Sequence, residues 1–260
     1  MSRIKLVSVN IELDNHLDRV RGFLEQEKPD VVCLQEVYKS DLQDFAKELE
    51  MEPVFAPMSN IGKGERAMYT LPPFFPYGVG ILSALPIRGI QTPYYRGTEE
   101  EAKTKPFSGN SKDDAHPLLY VTVQRESKDF TIGTTHLTWS PDGKADDAQR
   151  RDVKSLLSIL EGIPEFILCG DFNAPRGGEI FDAIAQRYTD NIPAEYTTSI
   201  DTDLHRDGEN IRHKSLMVDG LFTTPQYECS NVRLARGVSD HCAIVADLTC
   251  REKDGKLLKK

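Results

Sequence analysis

The stretch Phe166-Ile167-Leu168-Cys169-Gly170-Asp171-Phe172-Asn173 runs from apolar core straight into polar chemistry. Its first four residues read as a buried strand. A carboxylate and an amide then flank a phenylalanine. If the extended alternation continues, Asp171 and Asn173 share one side and Phe172 takes the other. Side by side, a carboxylate and an amide can orient a water and a phosphate oxygen without stacking two negative charges.

Three further strings have the same form. Asn10 follows the apolar run Ile4–Val9, Glu36 follows Val31–Leu34, and Ser239-Asp240-His241 precedes Ala243–Leu248. Each has an ordinary reading when taken alone. An Asn after a strand is a turn former, a carboxylate at the end of an apolar run lies at the rim, and Asp-His is a turn. The functional reading makes Glu36 and Asn10 oxygen ligands for a hard cation, and Asp240 a ligand beside a catalytic imidazole. His241 then needs a carboxylate on its other nitrogen to fix its tautomer. Asp219, in Val218-Asp219-Gly220-Leu221-Phe222, is the candidate.

Strands are also expected at 79–82, 118–123, 130–135 and 216–222, with 118–123 and 130–135 forming a hairpin. Helical spacing marks Leu17, Val20 and Leu24; Leu42, Phe45, Ala46 and Leu49 behind a capping box Ser40-x-x-Gln43; Val153, Leu156, Leu157 and Leu160; and Ile180, Phe181 and Ile184. This mixture fits two sheets packed face to face with helices outside. No linker or repeat interrupts it, so a single domain over 1–250 is expected, with 251–260 a basic solvated tail. Residues 56–78 and 91–117 read as long loops.

The 260 residues are 39% hydrophobic and 28% charged, a globular composition without an apolar run of membrane-spanning length. A stable membrane association is therefore not expected. The start of the chain lacks a signal-peptide core, and its five cysteines are odd in number and form no CxxC. A cytosolic, reduced protein is the expectation. The net charge of −9 does not itself attract nucleic acid.

The order Asn10, Glu36, Asp171-x-Asn173, Asp219, Asp240-His241, over about residues 3–249, resembles the endonuclease/exonuclease/phosphatase superfamily, which includes deoxyribonuclease I. The resemblance implies an α+β fold, a four-layer αββα sandwich. It also implies dependence on a divalent cation, Mg2+ or Mn2+. Carried over residue by residue, Glu36 resembles the main metal ligand, joined by Asn10 and Asp240. Asp171 resembles the residue that positions or activates water, and Asn173 the phosphate contact. His241, oriented by Asp219, resembles the base or transition-state stabiliser. His136, at the end of Ile132-Gly133-Thr134-Thr135, resembles a second catalytic histidine. Apurinic-site endonucleases carry Asn there, so the chain departs from their pattern. In some members a glutamate upstream backs that histidine; Glu65 is the nearest acid here.

Substrate recognition falls to residues around this set. Trp139 is either core packing or an indole platform for stacking on a base. Phe74, Phe75 and Tyr77 form either local packing or an apolar wall. Arg66, Arg96, Lys103 and Lys105 are either solvated surface or contacts to a substrate phosphate. The expected activity is phosphodiester hydrolysis by a monomer acting on nucleic acid or a nucleotide-linked substrate, in the manner of a nuclease or a tyrosyl-DNA phosphodiesterase. The alternative is an inositol-phosphate phosphatase or a sphingomyelinase-like enzyme. Against a secreted sphingomyelinase stand the absent signal peptide and the free thiols. A non-catalytic binding member of the fold is the third reading, and the filled set of site positions argues against it.

Overall fold

A computed structural model describes residues 2–64 and 72–251. In chain order its main elements are β1 (Arg3–Asn10), α1 (Leu17–Glu27), β2 (Val31–Tyr38), α2 (Lys39–Glu48), β3 (Glu52–Ile61), β4 (Phe75–Ser83), β5 (Ile87–Gln91), β6 (Tyr94–Arg96) and α3 (Glu99–Thr104). There follow β7 (His116–Arg125), β8 (Lys128–His136), α4 (Asp147–Leu160), β9 (Ile167–Asp171), α5 (Glu179–Ala185), β10 (Thr189–Asp190), α6 (Gly208–Ile211), β11 (Asp219–Thr223), β12 (Tyr227–Ala235) and β13 (Ala243–Cys250).

Two mixed sheets form. One runs β12-β13-β1-β2-β4-β3; the other runs β10-β11-β9-β8-β7-β5, with β6 paired to β7. Period-2 alternation sorts the side chains of each central strand. Ile4 and Leu6 of β1, Val31 and Cys33 of β2, Ile132 of β8, and Ile167 and Cys169 of β9 fill the space between the sheets. Val7, Val9, Val32 and Leu34 face the other way, onto Val20 and Leu24 of α1 and Leu42 and Phe45 of α2. On the opposite side, Leu168 and Phe172 pack with Val153, Leu156 and Leu160 of α4 and Ile180 and Ile184 of α5. The layers are helix, sheet, sheet, helix, as the sequence implied.

Several expectations need correction. Residues 56–78 and 91–117 are not simply loops, because β3, β4, β6 and α3 occupy much of them. Pro53 and Pro57 masked β3. It lies at the edge of its sheet, where an imide without N–H is tolerated. The capping box at Ser40 does not form. Tyr38 is the N-cap residue of α2 and makes no side-chain capping bond, while Ser40 Oγ bonds Asp41 Oδ1 at 3.1 Å. The hairpin is as read, with Leu118 opposite Thr135 and Val123 opposite Phe130. Beyond Arg251, the basic tail lies outside the described residues, as do Glu65 and Arg66.

Candidate active site

Strand ends from both sheets meet at one mouth of the inter-sheet layer. In the second sheet, His136 at the end of β8 lies opposite Asp171 at the end of β9, and Asp219 at the start of β11 flanks Asp171 from the other side. In the first sheet, Asn10 at the end of β1 lies opposite Gln35 of β2. Gly170 sets the spacing of β8 and β9. It has φ +146, and a Cβ there would stand 2.1 Å from the Thr135 carbonyl oxygen.

Glu36 reaches the site by a device invisible to alternation. On a regular strand it would share the helix-facing side of Leu34. The β2–β4 register shifts between Leu34 and Val37, and Glu36 takes φ 52. This bulge re-aims its carboxylate into the mouth.

Asn10 then joins the two sheets. Its Nδ2 donates to Glu36 Oε1 at 3.1 Å and to Asp171 Oδ2 at 3.1 Å, and its Oδ1 accepts the Glu12 N–H at 3.1 Å. In this arrangement Asn10 is a bridging donor that holds two carboxylates in place.

Asp171 is 1% exposed. Its Oδ1 accepts the Asn173 N–H at 2.8 Å, and its Oδ2 stands 3.5 Å from His136 Nε2 and 3.8 Å from His241 Nε2. His241 Nδ1 is 2.7 Å from Asp219 Oδ2, so the expected dyad is present in the geometry. The Val218 and Asp219 N–H groups donate to Ser199 Oγ, each at 3.1 Å, and fix the backbone that carries that carboxylate. Burial works against an imidazolium at His241. The carboxylates of Asp219, Asp171 and Asp240 outweigh it and hold the ring well above its ordinary value. Burial raises Asp219 in turn, and His241 offsets part of that.

Asn173 takes φ 49 rather than continuing the strand, yet its side chain still turns toward the site. Its Nδ2 lies 2.8 Å from the Leu137 carbonyl oxygen and 2.9 Å from His136 Nε2. One amide hydrogen is engaged by the Leu137 carbonyl, and the contact with Nε2 ties Asn173 to the His136 ring. The His136 carbonyl accepts from the Tyr95 hydroxyl at 3.0 Å and lies 2.8 Å from His116 Nδ1. No carboxylate among the described residues backs His136, and its buried Nδ1 lacks a partner there. His116 is buried against Tyr95, and burial first of all pushes it down to about 4.

Asp240 lies with Glu12 and His16, one donor atom from each within 4.8 Å of the others. Burial pushes Asp240 up to about 7; His241 pulls it down, and the nearby Glu12 and Glu36 push it further up. A group of acids this close, beside a buried carboxyl with few hydrogen bonds, fits a divalent cation. Glu12 and Asp240 are its oxygen donors, and His16 stands with them. Glu12 does not continue β1, as strict alternation would have it. It enters a left-handed turn with φ 50. His16 was not legible as a site residue. Its only signal is the spacing Glu12-x-x-x-His16, which brings Nε2 and Oε2 to 3.1 Å.

The expected substrate contacts divide. Trp139 is 53% exposed and three residues beyond His136. Tyr77 is buried, donates to Asp114 and meets Phe107 edge-on, so it is a packing residue. The Arg96 Nε donates to both Asp152 oxygens at 3.0 and 2.9 Å, and its NH1 to the Lys112 carbonyl. Its guanidinium belongs to the fold. Lys103 and Lys105 pair with Glu99 and Glu101 along α3.

The sequence pattern of the Endonuclease/Exonuclease/phosphatase family matches residues 7–241, which span every site residue described above. The chain belongs to that family. Solved structures agree on the fold. An endonuclease/exonuclease/phosphatase from Bacteroides vulgatus is 18% identical, covering 96% of this chain and 100% of its own, with a TM-score of 0.69. The human Nocturnin catalytic domain is 17% identical, covering 96% and 94%, with a TM-score of 0.67. A Bacteroides thetaiotaomicron mannosyl-6-phosphatase is 13% identical, covering 95% and 99%, with a TM-score of 0.66. Among curated proteins the sequence finds no match. No helix among the described residues is long and apolar enough to cross a membrane.

Proposed function

We propose that this member of the endonuclease/exonuclease/phosphatase family is a divalent-cation-dependent phosphodiesterase acting on nucleic acid or a nucleotide-linked substrate. The observation that carries the reading is the line Asp219–His241–Asp171. A buried carboxylate fixes one imidazole nitrogen at 2.7 Å, and the other nitrogen faces a second buried carboxylate at 3.8 Å. A substrate phosphate entering the mouth meets this line and the acids beside it.

Each group then has a task set by its surroundings. With Nδ1–H held by Asp219, His241 directs Nε2 into the mouth, where as an imidazolium it donates to a phosphoryl oxygen gaining charge. Asp171 keeps an acceptor oxygen beside both histidines. There it orients the attacking water and accepts its proton. Asn10 fixes Asp171 against Glu36, so both carboxylates are placed before substrate arrives. His136, steadied by Asn173 and by the two groups on its carbonyl, offers a contact to the phosphate. Glu36, Asp240 and Glu12 would hold a divalent cation, Mg2+ or Mn2+, which would supply neutralisation of the phosphoryl charge. Trp139 is exposed and follows His136 by three residues, and its indole as a stacking surface would favour a substrate with a base or ring next to its phosphate.

The test is product release from single-stranded DNA, RNA, a tyrosyl-DNA conjugate, sphingomyelin, inositol phosphates and a sugar phosphate, each in chelator and with Mg2+ or Mn2+ restored. Cleavage of a nucleic-acid or nucleotide-linked diester that returns with metal supports the reading. So does a KM for that substrate that rises in Trp139→Ala while a small activated diester is unaffected. Turnover only on monoesters would move the protein to the phosphatase reading, and turnover indifferent to chelator would overturn the metal dependence.

A further inference from the structure

His16 has no structural duty that explains its position. It is the N-cap residue of α1, yet its side chain makes no capping bond. Its ring is 12% exposed and turns back to Glu12, with Nε2 3.1 Å from Oε2. Glu12 is aimed at the same place by its left-handed turn and by the bond from its N–H to Asn10 Oδ1. The third member, Asp240, is 6% exposed. Ser239 Oγ donates to its Oδ1 at 3.1 Å, and among the described residues Oδ2 receives no hydrogen bond. An oxygen of Asp240 that receives no donor, with one ligand atom each from Glu12 and His16 within 4.8 Å, offers converging donor atoms to a cation.

We infer that His16 is a nitrogen ligand of the metal centre, completing a Glu12–His16–Asp240 set that takes a first-row transition cation in preference to Mg2+. The inference rests on the metal-dependent reading above. Its chemical ground is the donor type. Mg2+ is a hard ion that favours oxygen in strict octahedral geometry and gives up water reluctantly. Imidazole is a softer donor, so one nitrogen among the oxygens tilts the set toward Mn2+, Co2+ and their neighbours. Oxygen-only donors, expected from Glu36 and Asn10 in the sequence, carry no such bias.

The experiment uses the full chain with Mn2+ and Mg2+ as probes. Affinity for each is measured by calorimetric titration in the wild type, His16→Ala and His16→Asn, with circular dichroism as the control for folding. Both substitutions should weaken Mn2+ binding about tenfold or more and leave Mg2+ binding nearly unchanged. Pulsed electron paramagnetic resonance of bound Mn2+ should show nitrogen-14 coupling in the wild type and in His241→Ala, and lose it in both His16 variants. Coupling retained without His16 would overturn the assignment. So would equal losses for the two metals. A wild-type protein that binds no divalent cation would sink this inference together with the metal-dependent reading. Metal-dependent hydrolysis with binding indifferent to His16 would sink this inference alone.

Discussion

Replacing Gly170 with alanine puts a methyl carbon 2.1 Å from the Thr135 carbonyl oxygen, where folded proteins essentially never bring a Cβ closer than 3.0 Å. Relief requires at least about 0.9 Å of movement between β8 and β9. The obstacle is backbone, so no side-chain rotation can absorb it. Strain at φ +146 adds to the clash, and together they cost roughly 2–4 kcal/mol of stability. The movement falls between His136 and Asp171, which lie opposite each other across that strand pair. A displacement near 1 Å in a catalytic constellation lowers rate by about a hundredfold, or roughly 2.7 kcal/mol in the barrier. The assay is kcat/KM on an activated phosphodiester with saturating Mn2+, at a urea concentration of zero, with the urea midpoint measured on the same preparation. Gly133→Ala is the control, because its nearest neighbour is a Tyr120 side-chain carbon at 3.3 Å, a contact a small adjustment relieves. A folded Gly170→Ala protein with near-wild-type turnover would show that the β8–β9 spacing does not set the chemistry.

Two further outcomes follow from named contacts. Asp219 acts through the Nδ1 it holds at 2.7 Å, so His241→Ala and Asp219→Ala should each lower turnover by about a hundredfold or more, and the double variant should be little worse than His241→Ala; additive losses in kcat would separate the two residues. His116 is pushed down from 6.5 to about 4 by burial, so its contribution to stability is complete above pH 6.5 and disappears as pH falls toward 4. That difference is worth roughly 3 kcal/mol, and urea unfolding at pH 7.5 and 4.5 should show a smaller acid loss in His116→Gln than in the wild type, whereas equal pH dependence would remove His116 as the sensitive group.

What the sequence revealed and what it hid divide along a physical line. Residues on regular strands were legible. Asp171, His136 and Asp219 end or begin apolar runs, and the period of two carries each into the inter-sheet mouth. The Asp219–His241 pair was legible as well, because an imidazole in a site of this chemistry requires a carboxylate and Asp219 was at hand. What was hidden depends on backbone that leaves the regular path. Glu12, Leu13, Glu36 and Asn173 all have positive φ, half of the eight non-glycine residues that do so among those described. Glutamate and leucine carry no local preference for that region, so only the surrounding fold holds them there. The roles of Asn10 and Asn173 were hidden for a related reason. An amide can serve as ligand or donor, and only the placement of Glu36, Asp171 and His136 shows which groups these two reach. Which alternative Tyr77 and Arg96 take was hidden because their partners, Asp114 and Asp152, are remote in sequence. The strained turns and the two amides act on the same atoms. The left-handed Glu12 offers its N–H to Asn10 Oδ1, which fixes the amide so that its Nδ2 hydrogens bridge Glu36 and Asp171. The bulge at Glu36 brings that carboxylate within reach of the bridge. The local strain is thus coupled to the alignment of carboxylates from both sheets, an alignment that regular strands would not produce.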